Sequence, residues 1–235
     1  MAPSIRLFVG SPLHAGARTE ATGPQAHYLR TVMRREPGDG ITLFNGADGE
    51  WLAHIAMLRR DSAALLVDRL LRPQAPEPDL WLLFAPLKRD ATDLLVQKAT
   101  ELGVAALMPV LTERANAARL NLDRLAAIAT EAAEQSERLT VPRIEQPRRL
   151  AEVLANWPDE RVLVVAVERA GAPGVPAMRA PAALLVGPEG GFAPAELDAL
   201  RRHPFVQPAT LGPRILRAET AAIVGLALLQ ARPGG

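Results

Sequence analysis

Cysteine is absent from the sequence, and its absence excludes disulfide bonds, thiolate metal sites and cysteine nucleophiles. Histidine is scarce, and the four histidines are scattered, so no close pair suggests a histidine-rich metal site. No apolar run reaches the roughly 18 residues that a membrane span needs. Residues 1–10 lack the long apolar stretch of a secretory signal. We therefore expect a cytoplasmic protein that binds no metal.

Lysine is also rare, since only Lys88 and Lys98 accompany a large number of arginines. Basic and acidic residues nearly balance, with 27 Lys and Arg against 26 Asp and Glu, and this balance neither requires nor excludes a nucleic-acid partner. Hydrophobic residues make up 49% and charged residues 23% of the 235 residues. This composition is typical of a globular protein with one large domain or two modest ones.

A proline-rich stretch at 71–79, LRPQAPEPD, can continue neither a helix nor a central strand and therefore indicates a linker. Before it, ITLFN (41–45) and WLAHIAML (51–58) flank a turn rich in glycine and aspartate, which predicts a β-hairpin. AALLVDRL (63–70) is a third candidate strand, and residues 27–36 have helical spacing. The first part of the chain is thus predicted to be a small, mostly β domain with one helix.

After the linker, apolar runs alternate with amphipathic segments, as in an α/β domain with a largely parallel sheet. The runs LWLLFAP, VAALMPV, RVLVVAV and AALLVGP are predicted strands at 80–86, 104–110, 161–167 and 182–188. Helices are predicted at 89–102, 121–138, 148–156 and 194–202.

The last predicted helix, AAIVGLALL at 221–229, contains no polar side chain. A helix that is apolar all round has to be buried on all sides. It is either the central core helix, or a second subunit covers one of its faces. A dimer is therefore a hypothesis that this helix alone supports.

Glycines follow one of the predicted strands directly, in LLVGPEGGF at 184–192. They allow the main chain to approach a ligand closely, and ligands bind at the carboxyl ends of strands in open α/β sheets. A glycine turn without any ligand is the alternative. The segment is not a P-loop, because no Lys-Ser or Lys-Thr follows the glycines, and its spacing does not fit the dinucleotide fingerprint.

A second segment, LGPRILRAETA at 211–221, places charged residues directly before the apolar last helix. Solvated charge at a helix end is the alternative, and it accounts for Glu219, whose negative charge suits a helix N-terminus. It accounts poorly for Arg217. The apolar Ile215 and Leu216 between the arginines could form one wall of a flat pocket.

GPEGGF at 187–192, followed by LGPRILRAETA at 211–221, resembles the SPOUT superfamily of RNA methyltransferases. More closely, the combination is similar to the RsmE family, which methylates N3 of a uridine in 16S ribosomal RNA. Four further segments carry the resemblance, at 6–9, 27–39, 97–110 and 131–142. The segment 114–130 departs from the family pattern because it is shorter than the family leads us to expect.

The resemblance implies an α/β fold in which a C-terminal SPOUT domain carries a deep trefoil knot and a mainly parallel sheet. An N-terminal PUA-like β-barrel that binds RNA would occupy residues 1–72, a linker 73–79 and the methyltransferase domain 80–235. The implied partners are 16S ribosomal RNA in the small ribosomal subunit and a second copy of the chain, bound through the C-terminal domain.

The implied cofactor is S-adenosylmethionine (SAM), whose sulfonium methyl is already electrophilic. Uridine N3 carries a proton at neutral pH, so a base must remove it or a cation must stabilise the resulting anion. Arg217 is the candidate for the cation, and Glu189 or Glu219 for the base, although Glu219 suits an N-cap or a loop anchor better. The residues expected to hold SAM are Gly187, Pro188, Glu189, Gly190, Gly191, Leu211, Gly212, Ile215, Leu216 and Arg217.

The predicted helix at 27–36 offers the best local cluster of cations for RNA phosphates, and its apolar side would hold Leu29, Val32 and Met33. An ordinary solvated helix face is the alternative for each cation. Two other functions stay open: a SPOUT enzyme that methylates a ribose 2′-hydroxyl or a tRNA guanine, and an RNA-binding protein that has lost catalysis. The residues of the cluster are His27, Arg30, Arg34 and Arg35.

Overall fold

The computed structural model describes residues 5–115, 120–167, 171–178 and 180–231. The chain forms two compact units, one of Met1–Pro76 with Ala133–Val141 and one of Glu77–Ala132 with Pro142–Gly235. The first division falls inside the predicted linker 73–79. Residues 133–141 group with the first unit, although the sequence placed them in the second domain. Of the shortened segment 114–130, residues 116–119 lie outside the described residues.

The first unit is built on a five-stranded sheet in the order β1-β3-β4-β5-β2. β1 runs parallel to β3, and all other neighbours are antiparallel. Alternate side chains of these strands point into one core, in which residues such as Leu7, Ile41 and Leu65 are buried. The strands are β1 Arg6–Phe8, β2 Arg18–Ala21, β3 Gly40–Phe44, β4 Glu50–Leu58 and β5 Ala63–Arg72.

The predicted helix at 27–36 is wrong in its bounds and in one of its buried residues. Helix α1 spans Gly23–His27, with Thr22 as N-cap, and continues as a π-helical turn over Tyr28–Val32. The wider turn rotates the following side chains outward, so Leu29 is buried while Val32 is 60% exposed.

The second unit contains a seven-stranded sheet in the order β12-β10-β11-β6-β7-β8, with β9 beside β7. Every pair in it is parallel, as the continuous apolar runs predict. Its strands are β6 Leu80–Phe84, β7 Ala106–Leu111, β8 Arg143–Ile144, β9 Arg148–Arg149, β10 Val162–Ala166, β11 Ala182–Val186 and β12 Val206–Ala209. Its helices are α2 Arg89–Glu101, α3 Leu122–Gln135, α4 Leu150–Ala155, α5 Pro194–Arg201 and α6 Ala218–Gln230.

The apolar helix α6 packs on the central strand β11 through Gly225. A Cβ atom at this position would lie 2.6 Å from Cδ2 of the buried Leu184, so any other residue here would force the Leu184 side chain or the helix to shift. A single chain does not cover α6 on all sides, because Ala227 is exposed and Leu228 is 38% exposed. Of the two alternatives for this apolar helix, a face covered by a second subunit stays a prediction. None of the helices within the described ranges combines the length and the apolar character needed to cross a membrane.

Candidate functional site

The site lies where the parallel strands of the second unit end. β10, β11 and β12 are neighbours and run in the same direction, so the loops that follow them meet at one edge of the sheet. A cavity of about 2090 Å³ opens there. Its walls come from the end of β10, from the loop after β11 and from the segment between β12 and α6.

Both segments singled out in the sequence line this cavity. They are separated by roughly twenty residues in the chain, and the parallel order of β11, β10 and β12 brings them together. The lining includes every residue predicted to hold the cofactor: Gly187, Pro188, Glu189, Gly190, Gly191, Leu211, Gly212, Ile215, Leu216 and Arg217.

The glycine loop after β11 is a tight turn with two positions that require glycine. The Gly191 amide donates to the carbonyl of Pro188 at 2.8 Å, and Gly191 has a φ of 68°, which favours glycine. A Cβ atom on Gly187 would lie 2.8 Å from Cε2 of Phe192, a buried ring. The loop therefore turns closely over Phe192 and presents main chain to the cavity.

The segment after β12 is held by hydrogen bonds at its start, and its side chains are exposed to the cavity further on. The amide of Thr210 donates to the carbonyl of Pro173 at 2.8 Å. The amide of Gly212, whose φ is 116°, donates to Oγ1 of Thr210 at 3.3 Å. Beyond this turn Ile215 is 56% exposed and lines the cavity, which gives the site an apolar wall.

Three charged residues predicted for the chemistry lie at the cavity in different environments. Arg217 is the exposed N-cap residue of α6, and it forms no ion pair with any described residue. Glu189 is exposed, and its carboxylate accepts no hydrogen bond from the described residues. Glu219 follows the first residue of α6, so it is not the N-cap. One of its oxygens, Oε2, is buried and has no hydrogen-bond partner in the described part of the chain.

Several further charged residues, which the sequence did not predict as site residues, lie at the cavity. Lys88, Arg89 and Asp90 begin α2, and Arg114 follows β7. Arg201, at the end of α5, also lines the cavity. For Lys88, Arg89, Asp90 and Arg114, the available signal was their position shortly after the strands β6 and β7, because the ends of parallel strands share one edge.

The cations predicted to bind RNA lie in the first unit, around the end of the π-helical turn. Arg30, Arg34 and Arg35 line a cleft of about 330 Å³. Arg34 and Arg35 lie beyond the helical turn, and Arg34 has a φ of 50°, so the cluster does not form a helix face. His27 ends α1 and lies outside the cleft lining, with Nδ1 3.4 Å from Oγ1 of Thr31.

Comparisons with known proteins match both units. Residues 74–230 match the family model of an RNA methyltransferase domain, and residues 21–68 match that of an RNA methyltransferase PUA domain. A structure of a methyltransferase from Legionella pneumophila in complex with SAM superposes with a TM-score of 0.88 at 29% identity, covering 97% of this chain and 98% of that one. A ribosomal RNA small subunit methyltransferase E from Neisseria gonorrhoeae, bound to SAM, gives a TM-score of 0.85 at 29% identity over 96% of each chain.

Two curated relatives carry the same name as the Neisseria gonorrhoeae protein. The ribosomal RNA small subunit methyltransferase E of Rickettsia conorii is 34% identical over 230 residues, which cover 94% of this chain and 93% of the relative. That of Bacillus subtilis is 31% identical over 225 residues, which cover 88% of each protein. With both units matched in order over nearly the whole chain, the protein belongs to the ribosomal RNA small subunit methyltransferase E family.

Proposed function

We propose that this protein transfers a methyl group from SAM to N3 of a uridine in 16S ribosomal RNA. The observation that carries the proposal is the meeting of the two glycine-containing segments, 187–191 and 211–217, at one cavity of the RNA methyltransferase unit. The fold family adds the cofactor, since structures that cover nearly the whole chain hold SAM.

The residues at the cavity suit SAM. The buried, unpartnered Oε2 of Glu219 is an acceptor that a hydroxyl or ammonium donor of a ligand would satisfy. The turn at Gly187–Gly191 offers main-chain groups, and Ile215 and Leu216 offer an apolar surface for a flat base. The cavity, at about 2090 Å³, exceeds the roughly 300–1,000 Å³ of most small-molecule sites. It therefore leaves room for a nucleobase beside the cofactor.

When bound, SAM supplies an electrophilic methyl group on a sulfonium. The task of the protein is to hold uridine N3 in line with that methyl and to manage the proton on N3. Arg217 lies at the cavity without an ion-pair partner among the described residues, so its charge is available to stabilise the anion on the uracil ring. Glu189, exposed and without a hydrogen-bond donor among those residues, is the proposed proton acceptor.

Charge around the cavity suits an RNA substrate. The lining residues include six cations against three carboxylates, Asp90, Glu189 and Glu219. Positive charge at the mouth attracts phosphates, and a target base has to be exposed or turned outward to enter. In the first unit, the cleft of Arg30, Arg34 and Arg35 supports further phosphate contacts. The cations at the cavity are Lys88, Arg89, Arg114, Arg201, Arg214 and Arg217.

The homodimer and the cytoplasmic location belong to the same proposal. Helices α2 and α6 pack against each other. Leu228 of α6 stays 38% exposed, and a second copy would cover this apolar side chain, whereas Leu94 of α2, 40% exposed, lines the cavity. A ribosomal RNA substrate places the reaction in the cytoplasm. The trefoil knot stays a prediction from the family resemblance.

The test is incubation of the protein with a radiolabelled methyl donor and small subunits from a strain lacking the modification, followed by mass spectrometry of the RNA nucleosides. We expect 3-methyluridine in 16S RNA. A 2′-O-methylated nucleoside, or label in tRNA alone, would support a different SPOUT target, and absence of SAM binding in calorimetry would support an inactive RNA-binding protein. Arg217→Ala should abolish transfer with SAM affinity nearly intact, whereas loss of both would assign Arg217 to the cofactor pocket.

A further inference from the structure

The glycine loop after β11 is held by hydrogen bonds from a distant segment, residues 113–114, which follows β7. Arg114 Nη1 donates to the carbonyl of Gly190 at 3.0 Å. The amide of Glu113 donates to Oε1 of Glu196 at 2.8 Å, and the amide of Ala193 donates to Oε2 of the same carboxylate at 2.9 Å. Two hydrogen bonds, from Arg114 and from the Glu113 amide, therefore join the chain after β7 to the loop that follows β11 and to the start of α5. The third bond lies within the start of α5.

The sheet order shows that these bonds span a distance in the fold. β6 lies between β7 and β11, so the segment after β7 reaches past the end of one strand to meet the glycine loop. Arg114 also lies alongside the loop, since a Cβ atom on Gly190 would be 3.7 Å from Cβ and 3.8 Å from Cδ of Arg114. The loop is thus supported from outside the turn that forms it.

Glu196 uses its two oxygens for different purposes. It is the third residue of α5, and its bond to the amide of the N-cap residue Ala193 is the usual capping contact of this position. Capping requires only one oxygen. The second oxygen accepts from Glu113, 83 residues earlier in the chain, and this bond contributes nothing to the local helix end.

We propose that Arg114 and Glu196 are positioning residues for the methyl-donor site, which hold the loop Gly187–Gly191 in the conformation that receives SAM. This inference rests on the proposed function. A loop that is ordered before binding spares the ligand the entropic cost of ordering it, and each backbone residue that must be fixed weakens binding by about 5- to 30-fold. The hydrogen bonds made by Arg114 and Glu196 therefore affect SAM affinity more than RNA affinity.

The experiment compares Glu196→Gln and Arg114→Ala with wild type, as full-length proteins, by calorimetry with SAM and by the KM values for SAM and RNA. The glutamine places an amide N–H group against a main-chain N–H, so one of the two bonds is lost. We expect a rise in the SAM Kd of about 5- to 30-fold for each variant. For Glu196→Gln, the KM for RNA should stay unchanged. Arg114→Lys should recover part of the loss, because an ammonium can still donate to the Gly190 carbonyl.

Two residues of the α5 region provide matched controls. Asp198→Asn removes the same charge two residues further along the helix, where Asp198 contacts Arg201 at 3.3 Å. Arg202→Ala removes a cation from the exposed helix end. Neither residue lines the cavity, so both variants should bind SAM as wild type does.

The outcomes separate the two hypotheses. If wild type binds SAM and Glu196→Gln and Arg114→Ala, with unchanged melting temperature, bind it equally well, the positioning role is refuted while the methyltransferase proposal stands. Equal losses in the controls would also refute it. If wild type binds no SAM, the proposed function itself fails. Should Arg114→Ala fail to fold, the near-isosteric Glu196→Gln and the milder Arg114→Lys still decide the question.

Discussion

A buried carboxylate in the first unit leads to a quantitative prediction about stability. Glu50 is 7% exposed and receives hydrogen bonds from Arg6 Nε at 2.6 Å and from Arg72 Nε at 2.6 Å. Burial alone would raise the pKa of Glu50, but the hydrogen bonds from Arg72 and Arg6 outweigh it and hold the pKa below its usual range. The Glu50 charge is therefore part of the folded structure.

Arg6 connects this pair to the segment that returns from the second half of the chain. Its guanidinium donates to the carbonyls of Ala133, Glu134 and Arg138 at 3.0, 2.9 and 2.7 Å. The loss of one partner of a buried pair usually costs about 3–5 kcal/mol. In Glu50→Gln, Arg6 keeps its three carbonyl acceptors and Arg72 is 43% exposed to water. We therefore expect a loss of roughly 2–4 kcal/mol in the free energy of unfolding.

The pH dependence follows from the direction of the pKa shift. The ordinary pKa of the group is 4.5, and the folded value is lower, so the contribution of Glu50 is fully present above about pH 4.5. It is lost as the pH falls through the folded pKa. The difference between wild type and Glu50→Gln should be constant near neutral pH and shrink in acid.

Hydrogen exchange followed by mass spectrometry checks this in the unit concerned, because peptides from β3, β4 and β5 report its opening directly. Asp68→Asn is the control, since its exposed contact with His54 is worth at most about 1 kcal/mol. A difference between wild type and Glu50→Gln that persists unchanged at low pH would refute the reasoning. A loss in Asp68→Asn equal to that in Glu50→Gln would refute it as well.

Three further perturbations test other parts of the molecule. Gly187→Ala places a methyl group 2.8 Å from Cε2 of the buried Phe192 ring, so the loop or the ring must shift. Calorimetry should show SAM affinity lowered by at least about tenfold, and unchanged affinity would refute the role of this close contact in shaping the site. Arg34→Ala should weaken RNA binding and reduce its salt slope by about one, whereas a slope equal to that of wild type would exclude a phosphate contact. Leu228→Glu should convert the proposed dimer to monomer in light scattering, and an intact dimer would exclude this face of α6.

The local hydrophobic pattern of the sequence was sufficient to predict most of the long strands of the second unit. The runs at 80–86, 104–110, 161–167 and 182–188 are strands in the structure because each is apolar on both faces, as a strand covered by helices must be. The turn at 187–191 could also be predicted, because glycines directly after a strand tolerate a positive φ, and Gly191 has a φ of 68°. The local sequence left open whether such a turn binds a ligand.

Features that depend on contacts between distant residues could not be predicted from the local sequence pattern. The π-helical turn at Tyr28–Val32 inserts an extra residue into a helical period, and this reverses the exposure predicted for Val32. Residues 133–141 group with the first unit and are held there by long-range hydrogen bonds, such as those from Arg6 and Arg72 to their carbonyls. Arg114 reaches the site by the same kind of long-range contact, across the end of an intervening strand.

Arg217 shows why a site residue can be recognised by what it fails to do for the fold. The N-cap position favours Ser, Thr, Asp or Asn, whose side chains accept hydrogen bonds from the first main-chain amides of the helix. Arg217 makes no such hydrogen bond. Its positive charge also lies at the positive end of the α6 dipole, which costs about 0.3–1 kcal/mol. The residue is exposed, and no described acidic group pairs with it. Neither packing, capping nor ion pairing with a described residue accounts for an arginine at this position, and this supports the proposal that Arg217 stabilises negative charge in the cavity.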